Sequence, residues 1–382
     1  MPSAARPSSS VRMREISFTN LTRAIEIGAN SYLIEIGGRR LILDSGLHPK
    51  LDGEAALPNH AAAPQDSVEA IVLSHAHQDH VGSLPVTMRL QPRAKVFMTE
   101  ATRQLSDVML HNSVNVMTRK REEGIPSYPL FTHREIDLAM RRWQSAPLRR
   151  RFDLTGERTR ADETAEDVTC EFFDAGHILG SVGVLIRGGG RSLFYTGDVN
   201  FDDQTIMQGA DFPDGPLDVL IMETTRGDRG VPEDFIRSAE ERRLADTMNE
   251  VFARGGGVLL PLFALGKTQE LLAMFFEFRQ RGLLRRDYPI YIGGLGAKLT
   301  EIHDKLAHQT PRQNHDLQLL DRVAPFVLAG QHATEQPVKG ERIYAISSGM
   351  MTPKTLSNTL ASQFLSDPKH SLIFVGYADP ES

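Results

Sequence analysis

Three histidines and one aspartate lie within six residues of the segment 74–82, which reads SHAHQDHVG. In an extended chain alternate residues share a face, so His75 and His77 can point towards one metal ion. Asp79 and His80 follow where the chain turns, and they can point towards a second position close by. Imidazole nitrogens suit Zn²⁺, and carboxylates suit a hard or borderline divalent ion. The segment therefore predicts a metal site.

Further polar side chains follow apolar runs that are typical of β-strands. Asp44 ends the run LILD, His177 ends EFFDAGH, Asp198 ends LFYTGD, and Glu223 lies near the end of LIMET. Functional loops of α/β sheets collect at the C-terminal ends of strands. We therefore expect these residues to meet at one edge of the fold, together with the histidine segment.

The residues predict two metal ions that share Asp198 as a bridging carboxylate. Two ions about 3.5–4 Å apart can hold a hydroxide between them and clamp a phosphoryl group. Asp44 is predicted to lie outside the ligand set, where it would accept a hydrogen bond from a ligand histidine or orient the loop. The first predicted set is His75, His77, His177 and Asp198, and the second is Asp79, His80 and Asp198.

The composition limits the class of protein and of partner. A chain of 382 residues is long enough for about two domains. The formal net charge of -6 gives no overall attraction to nucleic acid, so such a partner would need a local basic cleft or bound metal. Cys170 is the single cysteine, which fits a reducing compartment, and we expect a cytoplasmic location. No apolar run is long enough to span a membrane.

Short apolar runs alternate with helical patterns along the chain. VEAIVLSH is a nearly continuous apolar run, typical of a strand that is buried on both faces. Residues 101–143 show helical spacing, and after Gly230 strands alternate with helices predicted over 232–253, 267–281, 298–308 and 354–365. The sequence therefore predicts an α/β fold that positions the polar strand ends.

The motifs resemble the metallo-β-lactamase fold family. HAHQDH is similar to that family's HxHxDH motif, and LDSG, DAGH and YTGD resemble three further metal motifs in the right order. LIMETTRGDR resembles the acidic motif of the β-CASP nucleases, and PLFALGKTQELL and ISSGMM resemble signatures of their cap domain. The resemblance implies an αββα sandwich with an inserted α/β cap, as in messenger-RNA cleavage factors and bacterial RNA-processing nucleases.

The resemblance also implies a division of the chain. We expect a disordered tail at 1–12, a metallo-β-lactamase domain at 13–228, a β-CASP cap at 229–368, and the start of a return to the core at 369–382. The family's next section, which carries a catalytic histidine and a further metal-ligating residue (histidine in the RNA-acting branch), is not matched in this sequence. A truncated and inactive fragment, a partner chain that supplies this section, or a degenerate protein would each account for this, and the expected protein partner is a second copy or a complementing chain.

The implied reaction is hydrolysis of a phosphodiester bond in RNA by a hydroxide held between two Zn²⁺ ions, with Mn²⁺ as the alternative metal. Catalytic roles are expected for Asp79, Glu223 and Asp44, although Glu223 also fits a buried structural partner. Contacts to substrate are expected from Lys267, Ser347 and Ser348. Lys267 lies in ALGKTQ, which is not a nucleotide-binding P-loop because Pro261 stands where that motif requires glycine.

Other functions remain open on the sequence alone. A nuclease acting on single-stranded DNA would use the same motifs, and a non-catalytic nucleic-acid-binding subunit would have the same domains. A small-molecule hydrolase is disfavoured because it would have no use for the cap.

Overall fold

The computed structural model describes residues 15–23, 27–157, 167–328, 338–348, 351 and 353–376. The tail predicted at 1–12 lies outside these residues. Within them the chain forms two stacked sheets with flanking helices, which we call the core (residues 15–223), and a third sheet with its own helices, which we call the cap (residues 237–372). None of the helices in the described ranges is both long and apolar enough to cross a membrane.

The first core sheet is half antiparallel and half parallel. Its strands, in spatial order, are β1 (Ser17–Asn20), β2 (Tyr32–Ile36), β3 (Arg39–Leu43), β4 (Ala70–Val72), β5 (Lys95–Met98) and β6 (Trp143–Ser145). The strands β3 to β6 run parallel, so their C-terminal ends reach the same edge. The strand β4 is buried along its whole length, as its apolar run predicts.

The second core sheet packs on the first. Its strands are β7 (Phe152–Asp153), β8 (Thr169–Asp174), β9 (Val182–Gly188), β10 (Arg191–Tyr195) and β11 (Val219–Ile221), in the spatial order β11-β10-β9-β8-β7. Apolar side chains from both sheets, such as Ile34, Val72, Phe172 and Val184, fill the space between them. The structure thus has the stacked sheets that the motifs imply.

Helices cover the outer face of the first sheet. They are α1 (Gln78–Val81), α2 (Leu84–Leu90), α3 (Glu100–Glu122) and α4 (His133–Met140), and two short 3-10 helices (Gly53–Ala56 and His60–Ala62) precede them. The single helical stretch predicted over 101–143 is wrong in one respect, because it is broken between α3 and α4. Gly124 has a positive φ of 109°, Pro126 and Pro129 follow, and Thr132 then caps the new helix.

The cap is a parallel sheet with helices. Its elements along the chain are α5 (Arg237–Ala253), β12 (Val258–Pro261), α6 (Lys267–Gln280), β13 (Ile290–Gly293), α7 (Gly294–Lys305), α8 (Leu319–Val323), β14 (Phe326–Leu328), β15 (Ile343–Ile346), α9 (Leu356–Leu365) and β16 (Ser371–Leu372). The spatial order is β14-β13-β15-β12-β16. Because neighbouring strands of this sheet run parallel, the loops after β12, β13 and β15 share one edge of the sheet.

Two predicted helix starts in the cap are wrong by four or five residues. The helix expected from residue 232 begins at Arg237, because Ile236 is still extended with φ -125° and ψ 112°. The helix expected from residue 298 begins at Gly294, in a glycine-rich stretch that sequence propensity disfavours. Gly296 allows α7 to approach Thr268 of α6, where an added Cβ would lie 3.3 Å from the Thr268 side chain. Close packing therefore outweighs propensity there.

One hydrophobic cluster joins the cap to the core. It contains cap residues such as Leu260 and Phe275 together with core residues such as Ala76, Leu105 and Ile178, all of them buried. The cap is therefore packed directly against the part of the core that follows β4 and β8.

Candidate metal centre

Strand ends from both core sheets bring the predicted metal residues together. His75 and His77 follow β4 of the first sheet, and His177 and Asp198 follow β8 and β10 of the second. Gly197, with φ +55°, permits this approach, because a Cβ there would lie 2.7 Å from the Cβ of Ser74. Glycine at this position thus allows Asp198 to reach the histidine segment.

Three imidazole nitrogens and one carboxylate oxygen converge on a common point. Nδ1 of His77 lies 3.1 Å from Nε2 of both His75 and His177. Oδ2 of Asp198 lies 3.8 Å from Nε2 of His75 and 3.5 Å from Nε2 of His177. One ligand atom from each of the four residues falls within 4.8 Å of all the others, so this cluster could hold a divalent metal ion.

The second predicted ligand group lies on the other side of Asp198. Oδ1 of Asp198 is 3.1 Å from Nε2 of His80, and Oδ2 of Asp79 is 3.7 Å from the same nitrogen. The two oxygens of Asp198 thus face two different groups of side chains. This is the arrangement that a bridging carboxylate requires.

Asp44 fixes the orientation of His80 from beneath. The Asp44 side chain is fully buried and accepts hydrogen bonds from the Ser74 amide (2.7 Å), the Ser74 hydroxyl (2.7 Å), Nδ1 of His80 (2.8 Å) and the Tyr195 hydroxyl (2.6 Å). Burial and the nearby Asp44 carboxylate hold the pKa of Tyr195 well above its usual range, so this hydroxyl remains a donor. His80 donates its Nδ1 proton to Asp44, and this bond directs Nε2 towards Asp198.

Burial lowers the pKa of all three clustered histidines and so favours their neutral form. Burial, with the neighbouring imidazole of His77, lowers the pKa of His177 to about 3, and burial also lowers that of His75. A neutral imidazole has a free lone pair, which is the form that binds a metal. Burial alone would raise the pKa of Asp198, but the charge on His80 outweighs it and holds that pKa well below its usual range.

Sequence reasoning missed two residues at this centre. Nδ2 of Asn30 lies 3.0 Å from Nε2 of His80, and the backbone amide of Asn30 donates to the Asp79 carbonyl. Tyr195 supplies one of the four bonds to Asp44. Tyr195 stands in the quoted run LFYTGD, whereas Asn30 has no local pattern that marks it.

Glu223 contacts the loop that carries Asp198. Its Oε1 atom accepts a hydrogen bond from the Val199 amide at 2.8 Å, and its own amide donates to Thr196 Oγ1 at 3.3 Å. The structure therefore places Glu223 beside the metal residues. Its contacts fit both a positioning role and a catalytic one.

The predicted substrate residues lie at one edge of the cap sheet. Lys267 begins α6 after β12, and its charge contributes to lowering the pKa of His177. Ser347 and Ser348 follow β15, which pairs in parallel with β12. The Ser348 hydroxyl is buried and has no hydrogen-bond partner among the described residues. Lys267 is thus near the histidine cluster, whereas within the described part of the chain no contact joins the two serines to it.

Two family models match successive parts of the chain. Residues 25–235 match the family model for the metallo-beta-lactamase superfamily, and residues 268–382 match that for the Beta-Casp domain. A solved structure from Enterococcus faecalis V583, of a protein of unknown function, has a TM-score of 0.51 at 13% sequence identity and covers 95% of this chain and 89% of its own. That similarity concerns the fold alone.

Curated relatives share sequence over most of this chain. The cleavage and polyadenylation specificity factor 73 of Drosophila melanogaster is 28% identical over 368 residues, which cover 92% of this chain and 49% of the relative. Endoribonuclease ysh-1 of Neurospora crassa is 32% identical over 279 residues, which cover 72% and 31%. The chain thus spans half or less of these relatives. It belongs to the metallo-beta-lactamase superfamily and carries a Beta-Casp domain.

Proposed function

We propose that this chain is a metal-dependent nuclease that hydrolyses phosphodiester bonds of RNA in RNA processing or degradation. The observation that supports this most directly is the position of Asp198, whose two oxygens face two adjacent ligand groups. A paired metal centre of this kind suits the transfer of a phosphoryl group to water.

The proposed ligands fit divalent metal ions by their chemistry. Three imidazoles and one carboxylate on the first side favour Zn²⁺, and the second side has more oxygen, so Mn²⁺ is the alternative there. When bound, the ions would lower the pKa of a water molecule and stabilise charge on the phosphoryl oxygens. The first ion is assigned to His75, His77, His177 and Asp198, and the second to Asp79, His80 and Asp198.

Other residues of the chain would orient the centre and move protons. Asp44 holds His80 with Nε2 directed at Asp198, and Glu223 holds the loop after Asp198. The second carboxylate oxygen of Glu223 is proposed to take up the proton that the attacking water releases and to pass it to the departing oxygen of the substrate. Asp79 would contribute a negative charge that keeps the second group of ligands attractive to a cation.

The substrate is proposed to lie between the core and the edge of the cap that carries Lys267, Ser347 and Ser348. The positive charge of Lys267 and the amides at the start of α6 suit a phosphate group. RNA is favoured over DNA because curated relatives are named endoribonucleases. A cytoplasmic location and association with a second copy or a complementing chain remain predictions.

The test uses three substrates and a matched pair of variants. The purified chain, loaded with Zn²⁺ or Mn²⁺, is offered labelled single-stranded RNA, single-stranded DNA of the same sequence, and a lactone. We expect cleavage of RNA first. Asp198→Asn should lose metal and lose more activity than the roughly 10–100-fold that an outer partner contributes, whereas Asp202→Asn, a nearby exposed control, should lose neither. RNA cleavage by Asp198→Asn at the wild-type rate would contradict the assignment of Asp198 as a metal ligand. Preferred cleavage of DNA would instead support the DNA-acting alternative.

A further inference from the structure

His77 uses both of its ring nitrogens, and the two face different domains. Nδ1 lies 3.1 Å from the nitrogens of His75 and His177, inside the candidate centre. Nε2 lies 3.4 Å from the backbone carbonyl oxygen of Leu265, which belongs to the cap. A metal-binding histidine usually donates its second N–H to a carbonyl or carboxylate, which fixes the tautomer and the ring orientation. For His77 that acceptor comes from outside the core.

The residue after Leu265 makes a second close contact with the core. Gly266 has a positive φ of 86°, and a Cβ at this position would lie 2.7 Å from Cγ2 of Ile178. Ile178 directly follows His177, which is another member of the candidate centre. A side chain at residue 266 would therefore push the cap backbone away from both histidines.

Lys267 completes a run of three cap residues at the same place, and we call Leu265, Gly266 and Lys267 the cap turn. The charge of Lys267 acts on the His177 imidazole. Leu265 is buried in the hydrophobic cluster that also contains Ala76 and Ile178 of the core. Packing thus holds the cap turn against the metal residues.

We propose that the cap turn is a structural part of the first metal site, in which the Leu265 carbonyl positions His77. With the Nε2 proton directed at that carbonyl, Nδ1 keeps its lone pair for the metal. This inference rests on the proposed function for the ligand assignment and goes beyond it, because every assigned ligand lies in the core. It follows that docking of the cap raises the affinity for the first ion, and by linkage that the ion stabilises the docked cap.

The experiment compares two glycine-to-alanine variants of the intact chain. Gly266→Ala introduces the methyl group that would meet Ile178. Gly282→Ala is the matched control, because Gly282 also has a positive φ, of 70°, lies just beyond the other end of α6, and has nothing within 4 Å of its Cβ position. Affinity for Zn²⁺ is measured by competition with a chromophoric chelator, and the first site is also followed by the visible absorption of bound Co²⁺. Circular dichroism confirms that each variant is folded.

We expect Gly266→Ala to lose roughly 10–100-fold in affinity for the first ion, the usual effect of removing an outer partner of a ligand, with an altered Co²⁺ spectrum. Gly282→Ala should bind as the wild type does. The double variant Gly266→Ala/Ile178→Ala removes the atom that the new methyl group meets, so it should regain affinity. In the wild type, Zn²⁺ should slow amide hydrogen exchange at Thr268 and Glu270, whose amides bond to Phe263 and Gly266 of this segment.

The outcomes separate this inference from the proposed function. If the wild type binds metal and folded Gly266→Ala binds it equally tightly, the inference is wrong and the proposed function stands. If Gly266→Ala does not fold, the exchange measurement on the wild type decides, and rates at Thr268 and Glu270 that do not respond to Zn²⁺ would overturn the inference. If the wild type binds no divalent ion, both are wrong.

Discussion

Replacement of Asp44 by asparagine changes one atom of a side chain that is fully buried and accepts four hydrogen bonds. An amide nitrogen in place of Oδ1 would face the backbone N–H of Ser74, which cannot turn away. In place of Oδ2 it would face the proton on Nδ1 of His80. This second conflict is relieved only if His80 gives up its Nδ1 proton and keeps one on Nε2, the nitrogen that faces Asp198.

The size of the effect follows from these contacts. A hydrogen bond to a charged group exceeds a neutral one by roughly 1 kcal/mol, and a buried donor left without a partner costs about 1–3 kcal/mol more. We therefore expect Asp44→Asn to lower the free energy of unfolding of the metal-free chain by about 3–5 kcal/mol, as for other broken buried pairs. Because the tautomer of His80 is no longer fixed, affinity for the second ion should fall roughly 10–100-fold.

The assay is a Zn²⁺ titration with metal content measured per folded chain, together with urea unfolding of the metal-free protein. Asp44→Asn should bind the first ion as the wild type does and the second ion roughly 10–100-fold more weakly. Tyr195→Phe is the control, because it removes one donor to Asp44 and leaves the bond to Nδ1 of His80 in place. If Asp44→Asn retained two ions with wild-type affinity, the argument that Asp44 sets the tautomer of His80 would be refuted.

Three further predictions concern other residues. Glu223→Gln can still accept from the Val199 amide, so it should keep its metal ions and lose turnover in the RNA assay; unchanged turnover would leave Glu223 a positioning role only. Lys267→Met should weaken RNA binding and reduce the salt dependence of log K by about one, unlike Lys298→Met on the exposed face of α7, and equal slopes in a filter-binding titration would exclude the phosphate contact. Burial lowers the pKa of His303 to about 3, so its contribution to stability is present above pH 6.5 and is lost as the pH falls towards 3, at about 1.4 kcal/mol per pH unit. His303→Leu should therefore lose less stability between pH 7 and pH 5 in urea unfolding, and an equal loss in both proteins would contradict the argument.

The candidate centre could be predicted largely from sequence, because its residues lie in short motifs at the ends of apolar strands. The sequence predicts that His75 and His77 point towards one position and that Asp79 and His80 point towards another. In the structure these two pairs lie on the two sides of Asp198. The ligand assignment itself stays a prediction until metal binding is measured.

The partners of the metal residues could not be predicted, because they are set by tertiary contacts. Tyr195 meets Asp44 across 151 positions of sequence, and Asn30 meets His80 across 50. The strand β9 was also missed, since glycines interrupt its apolar run and it lies buried between β8 and β10. The break between α3 and α4 was missed because helical spacing continues on both sides of it.

The shared hydrophobic cluster has a consequence for how the chain can be divided. Because Ala76 and Leu105 of the core lie in one cluster with Leu260 and Phe275 of the cap, separating the two would expose apolar surface on both pieces. Expressing the cap alone, or exchanging it for another cap, would therefore yield a fragment prone to aggregation unless the facing core residues were redesigned with it. Core and cap are expected to melt together in a single cooperative transition, so their connecting segment is a boundary in sequence but not in stability.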